Sequence, residues 1–419
     1  MSDLLLAERT VLLHIGPYKT GTTALQGALK QARAAMAEHG VVYAGRERQH
    51  MGAALSVRGS KGLPGDPPPP ISHWNRLVRQ VKAASDKRVI VSSEFFCESS
   101  PELARKVVDA LGGERVHILV TLRPLTKLLP SSWQQYVRNG QRASYDEWLD
   151  GMLNKPPYKR PTPSFWKRHH HEVLVERWAS IVGPDNVTVV VVDDADRLGL
   201  MRRVEELVGL PTGLLEPEEG WTNRSLTWGE AELIRHLNIE FKSRGWPDTL
   251  YKNVVRTGVI QHMQMERTPG PDELRIITPA WALERAAHIG AAAGEKISAL
   301  GVRVVGDISL LGAAPKAPVD DHLTAADAVL PVSAAAEAVA ATVVATVPRQ
   351  ALESDASAPP GDQAPAAEAE AATVSGAGRP VPLEQRLVRV LGRVPLGSWL
   401  RRSRLAPWLR SRLRSLRRG

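Results

Sequence analysis

The chain predicts an α/β fold of three layers, a central, mostly parallel sheet with helices on both faces. Three observations carry this. Short apolar, β-branched runs alternate with segments of helical spacing from Val11 onward, the pattern of a parallel sheet whose crossover helices cover its faces. The first run halts at Gly16 and gives way to a helix at Thr22. The carboxyl ends of successive runs carry polar residues, Gly16 to Thr23, Ser93 with Glu94, and Arg123, and open parallel sheets collect ligands at those ends.

Val11, Leu12, Leu13 and Ile15 make the first buried strand, and TTALQGALKQARAAM from Thr22 has amphipathic helical spacing. HGVVYAG reads as a second strand, and RERQHMGAALSV as a polar entry into a helix carrying His50. Gly59 to Pro70 is a loop, because its run of prolines admits neither helix interior nor central strand. A helix over Trp74 to Ser85 precedes the strand RVIVSS, which ends at Ser92, Ser93 and Glu94. A proline-led helix from Pro101 and the strand RVHILVTLR follow, then the helical PLTKLLPSSWQQYVRNG and RASYDEWLDGML. NKPPYKRPTPSFW is broken by prolines and could border an acceptor entrance. The cluster Lys167, Arg168, His169, His170, His171 reads as a solvated helix start; adjacent histidines on a helix diverge, and no cysteine or paired acidic spacing supports zinc. HEVLVERWASIVG, NVTVVVVDD and MRRVEELVGLP then read helix, strand, helix, before a long helix LTWGEAELIRHLNIEFKSRG, a further one over Pro279 to Leu300, and GVRVVGDISLL as a short end to the domain.

Composition divides the chain into a folded domain over 1–312, an alanine- and proline-rich disordered linker over 313–380, and an arginine-rich amphipathic tail over 381–419. Hydrophobic residues make up 43% of the sequence, enough for a substantial core. The net charge of +9 is uneven: about +5 falls in the domain, −6 in the linker and +10 in the tail, where eleven arginines face Glu384. The domain is therefore only mildly basic, which suits an anionic cofactor without requiring a polynucleotide. Alanine favours transient helix in part of Ser333 to Val347, but nothing there builds a core. Trp399 and Trp408 among the tail arginines suit an anionic membrane surface better than nucleic acid, for which no recognised reader is present. Cys97 is the single cysteine, and MSDLLLAERT lacks a long apolar core or cleavage site, so a cytoplasmic location is expected, with the tail able to hold the protein at the inner membrane surface.

The stretch Thr10 to Gln26 concentrates the chemistry. A strand stops at Gly16, a helix starts after Gly21, and Lys19 with Thr20, Thr22 and Thr23 surrounds the turn between them. Free helix N–H groups, a lysine charge and hydroxyl donors make a seat for a phosphate-like dianion. The order G-x-x-K-T-G-T-T differs from G-x-x-x-x-G-K-[ST], where lysine follows the second glycine. A second anion site is expected at Arg123, with Ser131 eight positions on and Ser132 beside it; a triphosphate hydrolase would usually place a magnesium-holding aspartate at that strand end.

These two stretches resemble sulfotransferases. HIGPYKTGTTALQ is similar to their 5′-phosphosulfate loop, and TLRPLTKLLPS to their 3′-phosphate motif, across residues 10–140, with a looser likeness to bacterial members as far as about Leu311. The resemblance implies a P-loop-like phosphosulfate loop and the donor 3′-phosphoadenosine-5′-phosphosulfate (PAPS), without a metal. It assigns Lys19, Thr20, Gly21, Thr22 and Thr23 to the 5′-phosphosulfate, and Arg123 and Ser131 to the 3′-phosphate. GWTNRS falls where a loop closes over the nucleotide in that family, which adds Asn223 and Arg224, although the family's glycine- and lysine-rich form is missing. Lys19 is placed for the leaving group. Family members use a glutamate or histidine base at a strand end, which makes Glu94 the first choice and His50 the second. The acceptor would be a hydroxyl or amine of a carbohydrate, glycolipid or small molecule, and a membrane-held tail would favour a lipid-linked one. The alternative is a nucleotide-binding protein or kinase-like phosphotransferase that uses the same loop without sulfuryl chemistry.

Overall fold

The computed structural model describes residues 4–62, 66–156, 158–218, 224–314 and 328–346. Six strands, β1 (Val11–His14), β2 (Val41–Tyr43), β3 (Arg88–Ser92), β4 (Val116–Leu122), β5 (Val187–Val191) and β6 (Arg303–Val305), form one sheet in the order β2-β3-β1-β4-β5-β6, every neighbouring pair parallel. The expected α/β fold is therefore present. β1 lies centrally, with Val11 opposite both Val89 and Val116, and His14 opposite Ser92 and Leu119. The chain passes from β3 over β1 to β4, so the sheet has its switch point at β1, where open α/β sheets bind ligands. β6 is three residues long, too short for periodicity to reveal, and extends the sheet where the sequence suggests only a domain end.

Period-two alternation sorts the strand side chains into two cores. Leu13, Val91, Val120 and Val189 face α3 (Met51–Arg58), α4 (Ser72–Ala83), α5 (Pro101–Leu111) and α9 (His171–Val182); α1 (Thr22–Gln31), α2 (Arg33–Glu38) and α10 (Gly199–Val208) cover Leu12, Ile90, Leu119 and Val190. A third core is helical. It joins α6 (Leu125–Arg138), α7 (Tyr145–Leu153), α8 (Ser164–His169), α11 (Trp228–Ser243) and α14 (Ala280–Ala299) around fully buried Trp133, Trp148 and Trp228. Trp133 stacks on Trp228 with ring centres 5.8 Å apart, and each of Trp133 and Trp148 donates its indole N–H, to Ala143 O and Thr162 Oγ1. These anchors fix α6, whose other side borders the cleft described below.

Two segments depart from expectation. Asp248–Met265, unread in the sequence, is one helical run: α12 (Asp248–Tyr251), a π-helical stretch Lys252–Ile260, and α13 (Gln261–Met265). On it lies α15 (Val332–Thr346), where the composition suggests a linker with transient helix and no core. Ala334, Ala338 and Ala341 are buried, and a Cβ at Gly258 would sit 3.0 Å from Ala345 Cβ and 3.2 Å from Ala341 O. Small side chains on both partners permit this approach, so alanine supplies complementarity here rather than bulk. The basic histidine cluster is also corrected. His169 and His171 are 2% and 1% exposed, because α8 ends at His169 and α9 begins at His171, and only His170 points outward. Among the described residues there is no group of side chains that could hold a metal, and no helix long and apolar enough to cross a membrane. Residues 315–327 and 347–380 and the whole of 381–419 lie outside the described residues.

Gly258→Val should push α15 away at a cost of about 1–3 kcal/mol. Hydrogen exchange would then rise across 332–346 while sheet amides keep their protection; unchanged protection of α15 would show that this contact does not hold it.

Candidate active site

The turn after β1 is built as its glycines suggest. Gly16 has φ +79° and Gly21 φ +87°, in the left-handed region that glycine enters freely. A Cβ on Gly16 would also lie 2.9 Å from Glu94 Cβ, so this glycine brings the loop against the end of β3. Lys19 adopts φ +66°, a conformation that costs a non-glycine residue about 1–3 kcal/mol and aims its side chain into a cleft. Gly21 caps α1 with no side-chain cap and no acid in the first turn, leaving the helix N–H groups beside Thr22 and Thr23 open to an anion.

A run of buried hydrogen bonds supports the loop. Thr20 Oγ1 donates to Pro17 O at 2.7 Å, and Thr121 Oγ1 lies 2.6 Å from Thr20 Oγ1. His14 Nε2 is 3.2 Å from Thr121 Oγ1, its Nδ1 is 2.8 Å from Ser92 Oγ, and Gln26 Nε2 donates to Ser92 Oγ at 3.2 Å and to Glu94 Oε2 at 3.1 Å. Burial holds the His14 pKa down at about 3, so the ring is neutral. The directions then follow. Thr20 spends its proton on Pro17, Thr121 donates to Thr20, His14 Nε2–H donates to Thr121, and Ser92 donates to His14 Nδ1. The Thr20 hydroxyl, expected at the anion, is fully buried in this floor; its backbone, together with Thr22 and Thr23, remains at the loop.

Lys19, Thr22, Thr23 and Glu94 line one lobe of a cleft, of about 240 Å³, with Ser131, Gln134 and Arg138 of α6 opposite. Desolvation, reinforced by the Arg138 charge, lowers the Lys19 pKa to about 8, with Glu94 acting the other way. Desolvation raises the Glu94 carboxyl above the usual carboxylate range despite the Gln26 hydrogen bond. Tyr18 forms the shoulder of the loop, under the Arg168 guanidinium at 4.1 Å, which is paired with Glu98 at 2.7 Å.

A second lobe of about 730 Å³ contains Arg123 and Lys127 and shares Ser131, Gln134, Arg224 and Ser225 with the first, so the two adjoin. Arg123 Nη2 is 2.7 Å from Asp194 Oδ2, while its Nε is buried with no hydrogen-bond partner. Ser131 Oγ donates to Leu128 O at 3.0 Å, and Ser132 Oγ is buried without a partner. Arg123 and Ser131 both border this lobe.

The remaining expected residues divide. His50 is 4% exposed; its Nδ1 accepts from Ser92 N at 3.0 Å and its Nε2 donates to Ala44 O at 2.7 Å, so both nitrogens tie β2 to β3 and neither faces the Lys19 lobe. Burial also lowers its pKa. Arg224 borders both lobes, but its guanidinium forms a fork on the fully buried Glu230 at 2.7 and 2.8 Å and donates to the carbonyl oxygens of Arg267, Ser225 and Met263. Asn223 lies outside the described residues. Sequence reading missed His14, Gln26, Thr121, Gln134 and Arg138. Only Gln26 carried a signal, being a polar residue on the buried face of α1.

No protein-family model matches the chain, and no curated protein matches it. A similar solved structure is the crystal structure of a sulfotransferase from Alicyclobacillus acidocaldarius, with 17% identity and a TM-score of 0.38; the match covers 56% of this chain and 94% of that one.

Since Lys19 loses its charge as pH passes through about 8, an anion held by it should bind less tightly across that range. Sulfate keeps its dianionic charge there and makes a suitable probe. Calorimetric titration should show affinity falling between pH 7 and pH 9, and a flat profile would mean that Lys19 does not meet the anion.

Proposed function

We propose that the protein is a sulfotransferase that moves a sulfuryl group from PAPS to a hydroxyl or amine of a carbohydrate, glycolipid or small-molecule acceptor. The observation that carries this reading is the pair of adjoining lobes, with Lys19, Glu94 and an uncapped helix N-terminus at one and Arg123 at the other. The residues fit such a donor. Arg123 Nε is a buried donor with no partner, which a terminal phosphate nearby would satisfy, and the desolvated Lys19 regains a counter-charge.

PAPS supplies the sulfuryl group and departs as 3′-phosphoadenosine-5′-phosphate (PAP). Lys19 and the N–H groups of Thr22 and Thr23 neutralise charge at the 5′ end, where negative charge grows as the group leaves. Glu94 takes the proton of the acceptor hydroxyl; its raised pKa makes it a better base, and Gln26 fixes the direction of its carboxylate. His50 is excluded from that role by its two backbone hydrogen bonds. Arg123 and Ser131 hold the 3′-phosphate, Ser131 turning its hydroxyl proton from Leu128 O to a phosphate oxygen and Asp194 orienting the guanidinium until the phosphate arrives. Arg224 serves as a wall fixed by Glu230. The membrane-held location, and with it the lipid-linked acceptor, rests on the sequence of 381–419 alone.

PAP should bind the full chain tightly without magnesium; magnesium-dependent ATP binding in its place would favour a phosphotransferase. Radiolabelled PAPS offered with acceptor mixtures then reports turnover. Lys19→Ala should lower turnover more than donor affinity, and Arg123→Ala should mainly weaken donor binding. Glu94→Gln should keep PAP binding and lose about 10²–10⁴-fold in turnover. A fully active Glu94→Gln would remove the carboxylate from the mechanism.

A further inference from the structure

The donor reading leaves the arginine of the Lys19–Glu94 lobe without a task. Arg138, in the last turn of α6, lines the Lys19–Glu94 lobe and is absent from the lining of the Arg123 lobe. Its Nε is sealed from solvent with no hydrogen-bond partner, and among the described residues no carboxylate lies within ion-pair distance of it. Among the described residues, Arg256, which reaches Asp66 at 3.9 Å, acts on it from the π-helical run, and Lys19 shares its lobe from the loop; Glu94 is the carboxylate lining that lobe, and the Tyr251 phenol, held protonated by burial, brings no charge. A guanidinium withdrawn from water beside two cations is costly, and an anion from outside would relieve that cost.

The donor does not need it. Its two anionic ends are already met by the Lys19 loop and by Arg123 with Ser131, and Arg138 lies seven residues beyond Ser131, about 10 Å along the helix. What shares its lobe is the general base. We propose that Arg138 is an acceptor-side subsite, and that the acceptor carries a carboxylate close to the hydroxyl presented to Glu94, as an acidic sugar does. The planar fork of arginine matches a carboxylate in two parallel hydrogen bonds, which a neutral hydroxyl cannot reproduce. This rests on the donor reading of Lys19 and Arg123.

The test uses the full chain saturated with PAP, so that both donor ends are filled, and titrates it with D-glucuronate and with D-glucose at matched ionic strength, following the thermal midpoint. Wild type should bind glucuronate about tenfold or more tightly than glucose, as expected for a charge-assisted pair. Arg138→Gln should bind PAP as wild type does and lose that preference. Arg138→Lys, which keeps the charge without the fork, should retain part of it, and it decides the matter should the glutamine variant not melt cooperatively. Equal affinity of wild type for the two sugars overturns the proposal, as does a folded Arg138→Gln that no longer binds PAP, since Arg138 would then be a donor ligand. Failure of wild type to bind PAP overturns the donor reading and this proposal with it, a result distinct from PAP binding without sugar preference.

Discussion

The cleft depends on one unbroken run of hydrogen bonds, from Pro17 through Thr20, Thr121, His14, Ser92 and Gln26 to Glu94. It crosses β4, β1 and β3 and ends at the carboxylate that lines the lobe beside Lys19. Each such bond adds only about 1 kcal/mol net, but a buried member left unpaired costs about 1–3 kcal/mol. The run is therefore stabilised mainly by what its interruption would cost. Because His14 stays neutral down to about pH 3, donor and acceptor directions do not reverse over the range in which the protein works. Loop shape and carboxylate direction thus have one common support.

Above that floor, like charges are held together. Arg138 lowers the preference of Lys19 for the charged form, burial and Arg256 lower that of Arg138, and Glu94 is too desolvated to compensate fully. Folding the large tryptophan core around α6 and seating the loop on its buried network offset this repulsion. An arriving anion then meets a field already organised, with little rearrangement left to do.

The sheet, the loop and Arg123 were legible in the sequence because each is local: a strand, a turn and a helix start follow one another within about twenty residues. The hydrogen-bonded floor was not. His14 meets Ser92 and Thr121 across separations of 78 and 107 residues, a meeting that exists only once β1 lies between β3 and β4. Arg138 looked like an ordinary arginine in the last turn of a helix, where a basic residue suits the helix dipole, and only the cleft gives it another meaning. The alanines of α15 were read by composition, which omits the shape of the surface they meet at Gly258. The histidines at 169 and 171 were placed by adjacency, which a break between two helices rearranges.

Helix α6 gives the cleft a scale. Ser131 and Arg138 are separated by seven residues, close to two full turns, and so project from nearly the same side of the helix. One rigid element, pinned by Trp133, carries both a group that borders the two lobes and the guanidinium that shares a lobe with Glu94. It is built as a ruler. A ligand that touched both would be read by the spacing of its polar groups as well as by the groups themselves, and a one-residue insertion between those positions would rotate one mark about 100° away from the other, erasing the measure without removing either side chain.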